Sequence, residues 1–225
     1  MDAGAAKRRT VLTEPQAYRL LENHGIKVAP WRVARNPSQA GSVAAKLGFP
    51  VVAKVVSRDV VHKSDSGGVM SHLHDASEVK EAYNSVVENV RSALPNAVID
   101  GILVQEMVSD AIELIVGVVR NAQFGPVILF GSGGIFVEFL DDIAMRILPI
   151  DTSDARQMIQ ETRVSKLLLG VRGKPPCDIQ KIVDLLLKVS RFALEQNEML
   201  ELDLNPVLIN HEGIWVADAR IVRAT

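Results

Sequence analysis

Residues 50–69 read PVVAKVVSRDVVHKSDSGGV: an apolar strand carrying one lysine runs into a loop that holds His62, Ser64, Asp65 and the pair Gly67-Gly68. Strand side chains alternate between faces, so Lys54 shares its face with Val52 and Val56. Lysine is almost never fully buried without a partner, because desolvating the ammonium is costly or drives its pKa down. No carboxylate lies in this strand. The partner of Lys54 is therefore distant in sequence or a ligand, unless the strand is an edge from which the side chain reaches water. The strand and the loop together suit chemistry on phosphate.

Working outward, Thr13 and Gln16 have capping-box spacing, Ala17, Leu20 and Leu21 form an apolar stripe and Gly25 is a stop, which predicts a helix over about 14–24. Residues 28–33 read as a strand, and Ser38 is a candidate cap for a helix ended by Gly48. Beyond the loop, 69–73 reads as a strand, and Val79, Ala82, Val86 and Val90 mark a helix capped near Asp75 or Ser77. From about residue 100 the texture changes to strand-like runs at 102–108, 112–120 and 127–130, joined by short turns, which predicts an antiparallel sheet. A second glycine loop, Gly131-Ser132-Gly133-Gly134, leads into the run 135–138 and a strand ending near Pro149. Thr152 or Ser153 starts another helix, Asp178 caps a long one, and the chain finishes as strand, turn, strand. The expected architecture is α+β in two lobes: a flexible N-terminus over 1–12, a first lobe over 13–104 and a second over 105–225, with a cleft between lobes as the place for a small ligand.

Composition narrows the function classes. In 225 residues, 25 Lys+Arg stand against 27 Asp+Glu for a net charge of -2, and the basic residues are scattered, so no electrostatic footprint for nucleic acid appears. The single Cys177 excludes an internal disulfide framework and a cysteine-rich zinc site, as suits a reducing cytoplasmic setting. The apolar runs are far shorter than a membrane span, and MDAGAAKRRT has no apolar core behind its charges, so neither a membrane nor a secretory route is expected.

A second constellation lies near the C-terminus. Asp203 and Asn205 are two apart on a strand, and a symmetric turn at 210–213 would place Asn205 opposite Asp218. Directly opposed side chains lie about 5 Å apart at Cβ, close enough for two oxygen donors to share a cation. Such donors suit magnesium, which often takes only one or two protein ligands beside water and phosphate oxygens. Arg220, two past Asp218, would face the same way and could meet a phosphate oxygen. A plain structural hairpin with an Asn-Pro turn is the other reading. The glycine loops can cradle anions through successive amides, yet neither fits the phosphate-loop or dinucleotide patterns. His62 is one of five histidines; its context is Lys54 upstream, Lys63 beside it and Ser-Asp-Ser-Gly-Gly behind it. A neutral imidazole can accept a phosphoryl group while nearby cations offset its charge.

The segments LTEPQAYRLLENHGI, GFPVVAKVVS, HKSDSGGV, VQEMV, FGPVILFGSGGIFVE, LDLNPVLI and VADAR occur in one order from Thr13 onward. In these the chain resembles the beta subunit of ADP-forming acyl-CoA synthetases (acetate-CoA ligase, ADP-forming), an ATP-grasp protein akin to the nucleotide-binding subunit of succinyl-CoA synthetase. The resemblance implies an ATP-grasp fold and a reversible reaction of acyl-CoA, ADP and phosphate to acid, CoA and ATP. It implies a CoA-binding alpha subunit in an alpha2-beta2 heterotetramer, with ADP/ATP and Mg2+ as cofactors. It assigns His62 as the residue that accepts the phosphoryl group from the alpha subunit and hands it to ADP. It also implies Lys54 on nucleotide phosphates, Gln105, Glu106, Met107 and Val108 at adenine, Glu113 on the ribose, and Gly133 and Gly134 facing the incoming phosphohistidine. Asn205 and Asp218, with Asp203 adjacent, become the magnesium ligands. Succinyl-type relatives lack the HKSDSGGV loop, usually carry glutamate where Asp203 stands, and a leucine is more usual than Ser132. The competing expectations are a non-catalytic ATP-grasp module that senses nucleotide, and a succinyl-CoA synthetase beta subunit in which His62 would be dispensable.

Overall fold

The computed structural model of the chain describes residues 8–60, 62–134, 142–170 and 175–225. The N-terminal residues 1–7 and the run 135–138 lie outside the described residues. Two compact units emerge, one of 13–16 and 28–109, the other of 1–12, 17–27 and 110–225.

The smaller unit is built on a four-stranded sheet, order β2(Trp31–Ala34), β5(Gly101–Glu106), β3(Val51–Val56), β4(Val69–Leu73), with every pairing antiparallel. Helices α2(Pro37–Leu47) and α3(Ala76–Ala93) bury Ala40, Ala44, Val79, Ala82, Val86 and Val90 in one core with Val51, Ala53, Val55, Ile102 and Val104. The alternation in β3 thus sends its odd-numbered residues toward the helices. Lys54, with Val52 and Val56, is left on the other face. The strand is interior to the sheet, so Lys54 does not stand on an edge. Asn36, not Ser38, caps α2: its side chain accepts from the Gln39 amide, and Pro37, pre-set for the helix, takes the first position. Asp75 caps α3 as its position before the stripe suggests.

The larger unit carries a sheet ordered β1(Arg9–Val11), β11(Ala219–Ala224), β9(Met199–Ile209), β6(Ile112–Asn121), β7(Gly125–Ser132), β8(Ile143–Ile147), with β10(Ile214–Val216) on β9. Helices α4(Thr152–Glu161), α5(Val164–Leu168) and α6(Ile179–Glu195) belong to this unit, and α4 and α6 pack on the sheet where Ile128 and Phe130 are fully buried. The other face carries Glu201, Asp203 and Arg220. Helix α4 starts at Thr152 as expected, and Asp151 caps it through a capping box with Asp154.

Three expectations change. Arg9–Val11, inside the stretch expected to be a flexible terminus, pairs with β11. β5 runs to Glu106, so the expected lobe boundary at 104/105 falls inside a strand of the smaller unit, which continues to Ser109. The strand-like run from 102 belongs to the smaller sheet and not to the antiparallel sheet expected from residue 100 onward.

Candidate functional site

Helix α1(Glu14–Asn23) begins with Glu14, whose carboxylate supplies the partner missing from the lysine strand. Lys54 Nζ donates to Glu14 Oε1 at 2.9 Å, and Lys63 Nζ donates to Oε2 at 2.5 Å. Lys54 and Glu14 are only 7% and 5% exposed. Of the readings open for Lys54, the partner distant in sequence is thus realised. Two ammonium groups thus converge on one buried carboxylate.

Lys63 is also the root of the loop that follows His62. Gly68 N donates to Lys63 O at 2.7 Å, Ser66 Oγ to the same oxygen at 3.0 Å, and Val55 N to Gly68 O at 2.8 Å, so the loop closes on itself and docks beside Lys54. Gly68 is required there: a Cβ would stand 2.7 Å from Val55 Cγ1 and 2.9 Å from Lys63 O. His62 itself is exposed, with its carbonyl accepting from Ser66 Oγ at 3.3 Å. The result is an accessible imidazole at the mouth of a closed turn with a cationic root.

Across β3 and β5, Val52 faces Gln105 and Lys54 faces Leu103, so Gln105 lies on the same sheet face as Lys54. The Gln105 side chain is buried and donates to Ala29 O at 3.3 Å. Backbone groups of the next residues are likewise engaged: Glu106 N with Pro30 O at 2.9 Å, and Met107 N with Pro50 O at 3.1 Å. Val108 is half-buried just after them. These bonds pin the segment 105–107 at the end of the sheet.

In the larger unit the structure groups the remaining candidates. Ala219 pairs with Leu204 and Val216 with Val207, and Ala217 N donates to Pro206 O at 2.9 Å, which brackets Asn205 opposite Asp218 in the register expected from the turn. Tyr18, fully buried, donates its hydroxyl to Ala217 O at 2.5 Å and so fixes the residue before Asp218. Arg220 stands across from Asp203 and is 3.6 Å from Glu201 Oε2; Arg9 also pairs with Glu201. Burial pushes the Asp203 carboxyl above its ordinary value, the charges of Asp218 and Glu201 push the same way, and Arg220 opposes them. Carboxylates that repel one another over a half-buried face fit a cation. Among the described residues no group of three or more His, Cys, Asp or Glu could hold a metal by itself, so a cation here would complete its shell with Asn205, water or phosphate oxygens.

The second glycine loop sits at Glu113. Gly133 N donates to Glu113 O at 2.8 Å, and a Cβ on Gly134, at φ +69°, would run into the Glu113 carboxylate. Glu113 is exposed at this point of β6. The loop is rooted by Asp142, which accepts from Ser132 Oγ at 2.6 Å and from the amides of Arg163 and Val164. Burial alone would raise the Asp142 carboxyl, but these donors outweigh it and hold it below the ordinary carboxylate value. Ser132, where leucine is more usual, thus has a partner of its own.

Glu14 and Asp142 are the two residues that reading the sequence passed over. Glu14 has the position of an ordinary first-turn acid, and Asp142 follows a second aspartate before a short strand. Nothing local marks either. No helix among the described residues is long and apolar enough to cross a membrane.

A family model described as the ATP-grasp domain matches residues 3–222. An Archaeoglobus fulgidus protein named acetate--CoA ligase [ADP-forming] I is 47% identical over 203 residues, which cover 90% of this chain and 30% of that protein. The chain therefore spans under a third of that relative's length. The beta subunit of acetate--CoA ligase [ADP-forming] I of Pyrococcus furiosus is 39% identical over 211 residues, covering 94% of this chain and 91% of the subunit. Among solved structures, an acetyl-coenzyme A synthetase of Candidatus Korarchaeum cryptofilum, held with coenzyme A and Ca-AMPCP, is 45% identical with a TM-score of 0.91, covering 95% of this chain and 93% of that one. The same protein with coenzyme A and Mg-AMPPCP, its phosphohistidine segment pointing towards the nucleotide binding site, is similar at a TM-score of 0.83.

Proposed function

The chain belongs to the ATP-grasp family, and on that premise we propose that it is the nucleotide-binding beta subunit of an ADP-forming acyl-CoA synthetase of the acetate--CoA ligase type. It works in the cytoplasm with a CoA-binding alpha subunit in an alpha2-beta2 assembly. The single observation that carries the mechanism is the exposed His62 at the mouth of a turn rooted on two lysines and one carboxylate. Phosphoryl transfer asks a protein for alignment and charge neutralisation more than for covalent chemistry.

In the direction of ATP synthesis, a ring nitrogen of neutral His62 attacks the phosphorus of a phosphohistidine on the alpha subunit. One N–P bond breaks as another forms. A terminal oxygen of ADP then attacks the phosphorus on His62, the second N–P bond breaks, and ATP leaves with His62 neutral again. Lys54 meets nucleotide phosphates, and the ammonium groups of Lys54 and Lys63 lower the cost of bringing a phosphoryl dianion to His62. Gln105, Glu106, Met107 and Val108 hold the adenine largely through backbone groups, and Glu113 takes the ribose hydroxyls. Gly133 and Gly134 face the incoming phosphohistidine, while Arg220, beside Asp203, meets a phosphate oxygen. Asn205 and Asp218, with Asp203 next to them, would hold Mg2+, which supplies charge neutralisation at the phosphates.

The test is incubation of the reconstituted complex with acetyl-CoA and radiolabelled phosphate. The chain should acquire an acid-labile, base-stable label, and ADP should discharge it. His62→Ala should abolish both the label and overall turnover while leaving nucleotide binding intact. A label that persists in His62→Ala would sink the phosphoryl-carrier role, and a wild-type chain that never acquires one would favour a nucleotide sensor.

A further inference from the structure

We propose that Glu14 is a positioning residue for phosphoryl transfer at His62, acting through Lys63; this rests on the reading of His62 as the phosphoryl carrier. Three observations lead to it. The Glu14 carboxylate is almost fully buried and divides its two oxygens between two lysines, one in strand β3 and one in the His62 loop. Lys63 is the nearest neighbour of His62 in the chain, and its carbonyl closes the loop by accepting from Gly68 N and Ser66 Oγ. The loop then docks on β3 through Val55 N to Gly68 O, one residue from Lys54.

The side chain and the backbone of Lys63 are thus both tied down, and Glu14 holds the side-chain end. Without that carboxylate the two ammonium groups would lose the bridge that holds them together. Lys63 would swing toward water, since its side chain is the more exposed of the two. The turn would lose the anchor nearest to His62, and the ring of His62 would be presented over a range of positions. Misplacing a reacting atom by about 1 Å can cost about 100-fold in rate. Lys54, interior to the sheet, would stay where it is and keep its hold on nucleotide. Glu14 therefore governs the rate of transfer and not the affinity for nucleotide.

The experiment uses the full chain, Mg2+ and ATP labelled on its terminal phosphate, followed in a single turnover. The terminal P–O bond breaks, an N–P bond forms at His62, and ADP is released. Glu14→Gln should slow labelling about 10- to 100-fold while ADP affinity stays within about threefold. Lys63→Gln should slow it to a similar degree, and the double variant should be no slower than the slower single variant within about twofold. Lys63→Arg, which keeps the charge pair, should recover most of the rate. A purely structural role for Glu14 would instead lower thermal stability and leave the rate of the folded fraction unchanged. Should Glu14→Gln fail to fold, Lys63→Gln decides alone. Labelling of either folded variant within twofold of wild type, or effects that multiply in the double variant, overturns the proposal. If the wild-type chain takes no label at all, the phosphoryl-carrier reading has failed and the role of Glu14 falls with it, whereas a labelled wild type with equally fast variants overturns the role of Glu14 alone.

Discussion

The two glycine loops are each rooted on a buried carboxylate, yet the two carboxylates are held by different donors. Glu14 in the smaller unit is met by the ammonium groups of Lys54 and Lys63. Asp142 in the larger unit is met by a hydroxyl and two amides, with the charge of Arg163 a smaller contribution. A carboxylate held mainly by neutral donors is an anchor and little else. A carboxylate held by two lysines is also an anchor, and it places a cation at the root of the His62 loop. The Gly131–Gly134 segment instead engages its own amides in the frame, Ser132 N on Asp142 O and Gly133 N on Glu113 O.

The largest expected effect breaks the cationic root. Glu14→Ala removes the carboxylate that bridges Lys54 and Lys63, and breaking a buried ion pair from one side costs about 3–5 kcal/mol. Chemical denaturation at neutral pH should show the loss. Adding the nucleotide analogue AMPPCP with Mg2+ should restore part of the stability, because a ligand that binds the folded chain stabilises it without any change in affinity. A loss below about 1 kcal/mol would mean that water already screens the cluster.

Asp142→Asn sharpens the contrast from the other side, and its effect is smaller. Hydrogen bonds to a charged acceptor contribute about 1.5–3 kcal/mol, and the amide keeps one acceptor oxygen, so a loss of about 2 kcal/mol is expected at pH 7. The pH dependence has a definite sign. The folded-state pKa of Asp142 is depressed, so its contribution is fully present above the unfolded value, about 3.9. It is lost as pH falls through the folded value. The stability gap between wild type and Asp142→Asn should therefore close on acidification below about pH 4. A gap that persists there would assign the role of Asp142 to shape and not to charge.

What the sequence made legible, and what it hid, follows the range of the interactions. The alternation of β3 placed Lys54 away from the helices, and the turn residues at 210–213 brought Asn205 and Asp218 opposite each other, because both depend on neighbours within a strand or hairpin. The cap of α2 was missed by two residues because Pro37 can occupy the first helical turn, which frees Asn36 to be the cap. Helix α5 spans only Val164–Leu168, too short for any periodicity to register. Glu14 and Lys54 stand 40 positions apart, and Ser132 and Asp142 meet across the run 135–138. Pairings of that kind have no local pattern. The resemblance named the loops and the hairpin, but the residues that hold the loops in place came only from the fold.

The smallest effect, and the only one of opposite sign, belongs to Asp203. Glu14 and Asp142 have more donors than they need, whereas Asp203 is pushed up by burial and by the charges of Asp218 and Glu201. A raised folded-state pKa means that ionised Asp203 opposes folding once pH exceeds its unfolded value, and that the opposition is relieved as pH falls through the folded one. Asp203→Asn should then raise Tm at pH 7, by about 1–3 °C for a chain of this size. The gain should shrink on acidification toward the unfolded value, about pH 3.9, as wild-type Asp203 takes up its proton. A cation acts on the same repulsion, so Mg2+ should raise the Tm of the wild-type chain more than that of Asp203→Asn. Thermal scans with and without Mg2+, at both pH values, separate the two. If Asp203→Asn loses stability as Asp142→Asn does, Asp203 is a third anchor, and the acidic face of the larger unit has no charge in reserve for a metal.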